Sequence, residues 1–170
     1  MKYGIYYAYW EKEWNGDYKY YIDKISKLGF DILEISCGAF SDYYTKDQEL
    51  IDIGKYAKEK GVTLTAGYGP HFNESLSSSE PNTQKQAISF WKETLRKLKL
   101  MDIHIVGGAL YGYWPVDYSK PFDKKRDLEN SIKNMKIISQ YAEEYDIMMG
   151  MEVLNRFEGY MLNTCDEALA

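Results

Sequence analysis

The sequence is poor in the residues and patterns that usually give quick assignments. Its 170 residues hold two cysteines, Cys37 and Cys165, with no CxxC pair. That excludes a disulfide framework, and reduced thiols in a cytoplasmic protein are the simplest reading. There are two histidines, His71 and His104. No Ser-His-Asp or Cys-His arrangement can be argued from them, and nothing pairs with either at metal-ligand spacing. An excess of basic charge is also missing. The net charge of −5 argues against a nucleic-acid partner, which rewards a basic patch. No long apolar run is present. The opening MKYGIYYAYW is studded with Tyr and lacks the apolar core of a signal peptide, so neither a leader nor a membrane contact is expected. No linker or low-complexity segment interrupts the chain, and a single domain over residues 1–170 is expected.

What the chain does have is a globular composition, 45% hydrophobic and 28% charged, in a length that can bury a sizeable core. Aromatics are abundant, with 17 Tyr and 4 Trp. Such side chains offer a flat apolar face and a polar tip, which suits sugars; packing in the core explains most of them equally well.

One pattern recurs. An amphipathic helical segment ends near a Gly or Asp and a short β-rich run follows: KLGFDILEIS at 27–36, KEKGVTLTAG at 58–67, KLMDIHIVGG at 99–108 and EEYDIMMGMEV at 143–153. The spacing is that of βα units. Strands are expected near 3–8, 31–36, 62–67, 103–108 and 147–153. Asp17 can cap the first helix and Gly29 end it. Thr45 with Gln48 has the form of a capping box, Gly61 closes that helix, Pro81 suits a first turn, and Thr164 with Glu167 forms a second box. Nearly continuous apolar strands alternating with helices indicate an α/β fold with a parallel sheet covered by helices. A doubly wound sheet should carry a Gly-rich phosphate loop after its first strand, but EKEWNG follows YGIYYAYW. The alternative is a (β/α)8 TIM barrel, typically about 250 residues, of which this chain would supply the N-terminal part, about the first five βα units.

Polar and small residues gather where the strands end: Tyr6, then Glu34 and Ser36, Gly67, Gly107 with Gly108 and Ala109, and Glu152 with Asn155. Barrel enzymes build their sites at these ends. Glu152 is the most informative. Inside a buried strand its carboxylate would cost several kcal/mol without a partner. Arg156 is one candidate partner; a metal ion or a reacting substrate is the other explanation. Glu158, flanked by Phe157 and Tyr160, is expected to be partly enclosed, where it can accept hydrogen bonds from a polyol. Trp114 lies in an aromatic loop and is either packed on the rim or a wall beside a sugar's carbon skeleton; Trp10 and Trp14 allow the same two readings. His104 reads as packed within its strand, and His71 as a loop residue that can face a site.

GIYYAYW, ISKLGFDILEI, GGALYGYWPVDY and EVLNRFE together resemble the ketose 3-epimerases, the D-tagatose and D-psicose (D-allulose) 3-epimerases of the sugar isomerase/epimerase barrels, most of all their clostridial members. The similarity runs over the whole chain. It implies a (β/α)8 barrel nearly twice this length, bound Mn2+ (Co2+ can serve), and a homodimer or homotetramer acting on a ketohexose such as D-fructose. It further implies that Glu152 binds the metal and acts as one catalytic acid/base. Glu158 would hold the hydroxyl end of the substrate, and Tyr6, Gly67, Gly107, Ala109 and Trp114 would line its pocket. An aspartate, a histidine and a second catalytic glutamate would come from later strands. Such an enzyme removes the C3 proton beside the C2 carbonyl and returns one to the opposite face, with the metal stabilising the enediolate. An aldose–ketose isomerase of the same superfamily is the rival enzyme, and a catalytically inactive partial barrel the non-enzyme alternative.

Overall fold

The computed structural model describes the backbone of residues 1–169, and their side chains except those of residues 41 and 42. Five strands alternate with helices. They are β1 (Gly4–Tyr6), β2 (Ile32–Ser36), β3 (Thr63–Gly67), β4 (Ile105–Gly108) and β5 (Met148–Met151); the helices are α1 (Tyr18–Leu28), α2 (Ala39–Asp42), α3 (Asp47–Glu59), α4 (Pro81–Leu100), α5 (Lys124–Glu144) and α6 (Cys165–Leu169). The strands form one sheet in sequence order, as expected for successive units of a (β/α)8 barrel. Every strand is shorter than its expected span, by one or two residues at an end, because the flanking residues leave the ladder to begin loops. Among the described residues no helix is long and apolar enough to cross a membrane.

The punctuation shows why the elements stop where they do. The Asp17 carboxylate accepts from the amides of Lys19 and Tyr20, and Gly29 ends α1 at φ 81°. Gly61 follows α3 at φ 70°, while Asp102 and Asp146 do the same after α4 and α5 at φ 59° and 56°. Each helix-to-strand turn thus needs one left-handed residue, and Gly or Asp supplies it. Pro81 opens α4. Two capping expectations need correction. The N-cap of α3 is Lys46, with no side-chain hydrogen bond, because the helix begins two residues beyond Thr45. At α6 the Thr164 hydroxyl accepts from the Glu167 amide at 3.2 Å, but the Glu167 carboxylate accepts from Asn163, one residue before the cap.

The chain divides into two compact units. The first comprises residues 1–67 and 94–106; the second, residues 68–93 and 107–170. In the first, β1 and β2, and β2 and β3, pair in parallel. Alternation along β2 sends Leu33 and Ile35 to one side, where α1 packs on β2 and α3 on β3. Ile22, Ile25, Leu50, Ile53, Leu95 and Leu98 complete a fully buried layer. The fit is close: a Cβ on Gly54 would stand 2.6 Å from the Met101 carbonyl oxygen. The Lys-rich stretch of α4 is therefore two-sided. Its leucines are buried, Arg96 pairs with both carboxylate oxygens of Asp47 at 2.7 and 2.8 Å, and the Lys97 ammonium donates to the Phe40 carbonyl. Cys37 is buried here, and burial pushes its thiol far up, with the Glu34 charge adding.

In the second unit the core is Tyr111, Tyr160, Met161 and Leu162, with Leu128 and Met151 against it. Several buried polar groups of this unit find partners. The Tyr160 hydroxyl donates to Asp127 at 2.8 Å, Ser131 donates to the Tyr111 carbonyl at 2.6 Å, and Asn134 to the Leu76 carbonyl at 2.8 Å. Cys165, at the start of α6, is exposed.

Candidate functional site

In the first unit, parallel register puts Tyr6, Glu34 and Thr65 side by side, and Ser36 beside Gly67. Counting by twos, these side chains share the sheet face opposite Leu33 and Ile35. Tyr6 is half-buried. Burial pushes its phenol well above the ordinary value, Tyr7 and Glu34 add to this, and a hydrogen bond with Ser36 opposes it. Gly67 is buried, and a Cβ there would meet the Glu34 carboxylate at 2.9 Å. The space a side chain would take at Gly67 is filled by Glu34, which the sequence marks only as a polar strand end. Trp14 lies 6.2 Å from Tyr6, ring to ring. Trp10 instead stacks on Tyr21 at 5.7 Å, with the Lys24 ammonium 4.3 Å from the centre of its ring, which is a packing role.

In the second unit, three loops are knit together by backbone. Tyr68 donates to the Gly107 carbonyl at 2.9 Å, Glu152 to the Gly108 carbonyl at 3.0 Å, and Trp114 to the Pro70 carbonyl at 2.8 Å. The two glycines at the end of β4 differ in kind. Gly108 sits at φ 127°, and a Cβ there would strike the Tyr68 carbonyl oxygen at 2.3 Å; at Gly107 a Cβ would meet only the Gly150 carbonyl, at 3.8 Å. Ala109 is buried. Trp114 is half-buried, its root pressed on Gly69, where a Cβ would come within 2.9 Å. Tyr113 meets Phe72 edge to face at 5.2 Å. The aromatic loop is thus packed, with Trp114 remaining partly exposed.

Glu152 does not lie inside a strand. β5 ends at Met151, and Glu152 is the next residue, its side chain exposed. The expectation of a buried carboxylate is corrected. β5 is the last strand of the sheet, so no further strand covers its outer side among the described residues. The backbone of Glu152 is nonetheless fixed at both ends, since its carbonyl accepts from the Tyr111 hydroxyl at 3.0 Å. Burial pushes that phenol up to about 12, with the Glu152 charge adding. No ion pair between Glu152 and Arg156 forms among the described residues; Arg156 contributes its carbonyl, to Tyr118.

Glu158 is also exposed. Its aromatic flanks do not enclose it: Phe157 is 92% exposed, and Tyr160 turns inward to Asp127. Its carboxylate is held instead by the Asn155 side-chain amide. The loop from 154 to 163 is closed by Asn163, which donates to the carbonyls of Leu154 and Gly159 at 2.9 and 2.8 Å. His104 precedes β4, is exposed and lies 3.2 Å from Asp102, so the packed reading is corrected; the Asp102 turn swings it off the strand. His71 caps a 3-10 turn with Glu74, whose carboxylate also accepts from Tyr68 at 2.6 Å. The N-x-x-E spacing of Asn155 and Glu158 is the signal that could have found their contact.

Among the described residues no three of His, Cys, Asp and Glu converge as a metal site. A family model described as Xylose isomerase-like TIM barrel matches residues 22–170. The chain is 57% identical over 169 residues to a D-psicose 3-epimerase of Enterocloster bolteae, covering 99% of this chain and 56% of that protein. It is 44% identical over 170 residues to one of Agrobacterium fabrum, covering 100% and 58%. A solved D-psicose 3-epimerase with D-tagatose from Clostridium cellulolyticum H10 superposes with a TM-score of 0.95 at 47% identity, over 98% of this chain and 57% of that one. The chain therefore spans a little over half the length of these relatives, and the match over nearly all of its own length bears out the resemblance to ketose 3-epimerases. With its alternating strands and helices and its small and acidic residues at the strand ends, the chain belongs to the xylose isomerase-like TIM barrel family.

Proposed function

We propose that the protein carrying this chain is a ketose 3-epimerase interconverting D-fructose and D-psicose. The observation that supports this most is Glu152, a solvent-open carboxylate whose own backbone is pinned at the end of β5 by Gly108 and Tyr111, in a chain whose relatives are named for that reaction. Epimerisation needs a carboxylate held where it can reach a C3 proton, about 3 Å away. Glu152 takes that role, and the inversion requires a second base on the opposite face. Glu158 accepts from sugar hydroxyls, while the open part of Trp114 faces the carbon skeleton. Gly107 leaves room beside it, and Ala109 closes the end of β4. Tyr6 and Gly67 are assigned substrate contact on the resemblance alone.

Mn2+, or Co2+ in its place, belongs to the same reading, with Glu152 as one ligand. The described residues do not fit the ion by themselves, because a single carboxylate holds such a cation weakly. A homodimer or homotetramer in the cytoplasm completes the proposal. The test is to incubate the full-length protein with D-fructose and Mn2+ and separate the products. A C3 epimer is expected, an aldose would favour the isomerase, and no conversion of any ketohexose would overturn the reading.

A further inference from the structure

Asn155 is placed to act on Glu158 in two ways at once. Its side-chain oxygen accepts from the amides of Phe157 at 2.9 Å and Glu158 at 3.2 Å. Its side-chain nitrogen donates to the Glu158 carboxylate oxygen Oε2. Its own carbonyl accepts from the amides of Glu158 and Gly159 at 3.1 and 3.0 Å. The first contact closes the turn and the second aims a carboxylate. A glutamate in an open loop samples many rotamers, and a ligand that requires one of them must bear the cost of selecting it.

We propose that Asn155 is a positioning residue that sets the Glu158 carboxylate in advance, leaving Oε1 to accept from the hydroxyls of the sugar. This rests on the epimerase reading. Only Asn performs both tasks. Asp keeps the oxygen that closes the turn, but loses the donor and sets a second negative charge against Glu158. Ala loses both.

The test measures steady-state ketohexose conversion by the full-length protein and by Asn155→Ala, Asn155→Asp, Glu158→Gln and the double variant Asn155→Ala/Glu158→Gln. Asn155→Ala should raise KM about two- to tenfold, the cost of ordering one flexible side chain, with kcat changed less. Asn155→Asp should fold normally and still bind at least as poorly. The double variant should be no worse than Glu158→Gln, because the two residues act through one contact. If Asn155→Ala melts early, Asn155→Asp carries the comparison. Wild-type KM in Asn155→Asp, or losses that multiply in the double variant, would overturn the proposal. A wild-type protein that epimerises no ketohexose overturns the function and this role together, a result distinct from an active protein whose variants fail in those two ways.

Discussion

At the scale of the residue, Glu152 and Gly108 carry opposite burdens. Glu152 has a fixed backbone and an exposed side chain, which is what the proposed proton transfer requires. The proposed epimerase role predicts that Glu152→Gln in the full-length protein lowers turnover about a hundred- to ten-thousandfold, the scale of losing a proton-transfer group. Circular dichroism should be unchanged, and near-normal activity would remove Glu152 from the mechanism. Gly108 has no such freedom. Its φ of 127° and the Tyr68 oxygen 2.3 Å from any Cβ leave no place for a side chain. Gly108→Ala should destabilise the chain by about 3 kcal/mol, read as a lower urea midpoint; an unchanged midpoint would contradict the clash. The sequence marks both residues, since a small or acidic residue at a strand end stands out. It does not reveal their exposure. An acidic residue among apolar ones looks buried, and only where β5 stops, one residue earlier, shows that Glu152 is not.

At the scale of the element, the turns were the most legible part. Gly29, Gly61, Asp102 and Asp146 all sit in the left-handed region, and their side chains, or lack of them, announce it. The side-chain clasps were less so, because each depends on a partner far along the chain. Glu167 is an example. Its carboxylate accepts from the Asn163 amide at 2.7 Å and pairs with Lys124 of α5. The Lys124 ammonium and then the Asn163 amide hold its pKa below the ordinary glutamate value. A group depressed in this way stabilises the fold above its unfolded pKa, and that contribution is lost as pH falls through the lower folded value. The protection of the α6 amides, measured against their intrinsic exchange at each pH, should therefore be constant at neutral pH and fall below about pH 4, where carboxylates begin to protonate. Glu167→Gln should show weak protection in α6 at every pH. Equal protection in α6 at pH 3 and pH 7 would show that the clasp does not hold the helix.

At the scale of the whole molecule, alternating strands and helices indicated a parallel α/β fold before any contact was known, because the pattern depends only on local periodicity and turn chemistry. The choice of a barrel rested on the missing phosphate loop, the polar strand ends and the family resemblance. Which polar strand ends matter depends on side chains from separate elements, as Glu34 filling the space at Gly67 shows, and no local pattern carries that. The sheet order also has a consequence for the 170-residue polypeptide on its own. β1 and β5 each have an unpaired edge among the described residues, and Met148 on β5 is 69% exposed. Open edges with apolar side chains recruit other chains. Light scattering on this polypeptide should give a mass above 19.9 kDa, and a monodisperse species at that mass would show that the edges are harmless.

The two thiols extend this to time. Cys165 stands in solvent, and Cys37 is sealed in the first unit with no exposed surface. A maleimide reagent will mark Cys165 at once and reach Cys37 only when the first unit opens. The slow second adduct is then a clock for that opening, already built into the chain and needing no engineered probe.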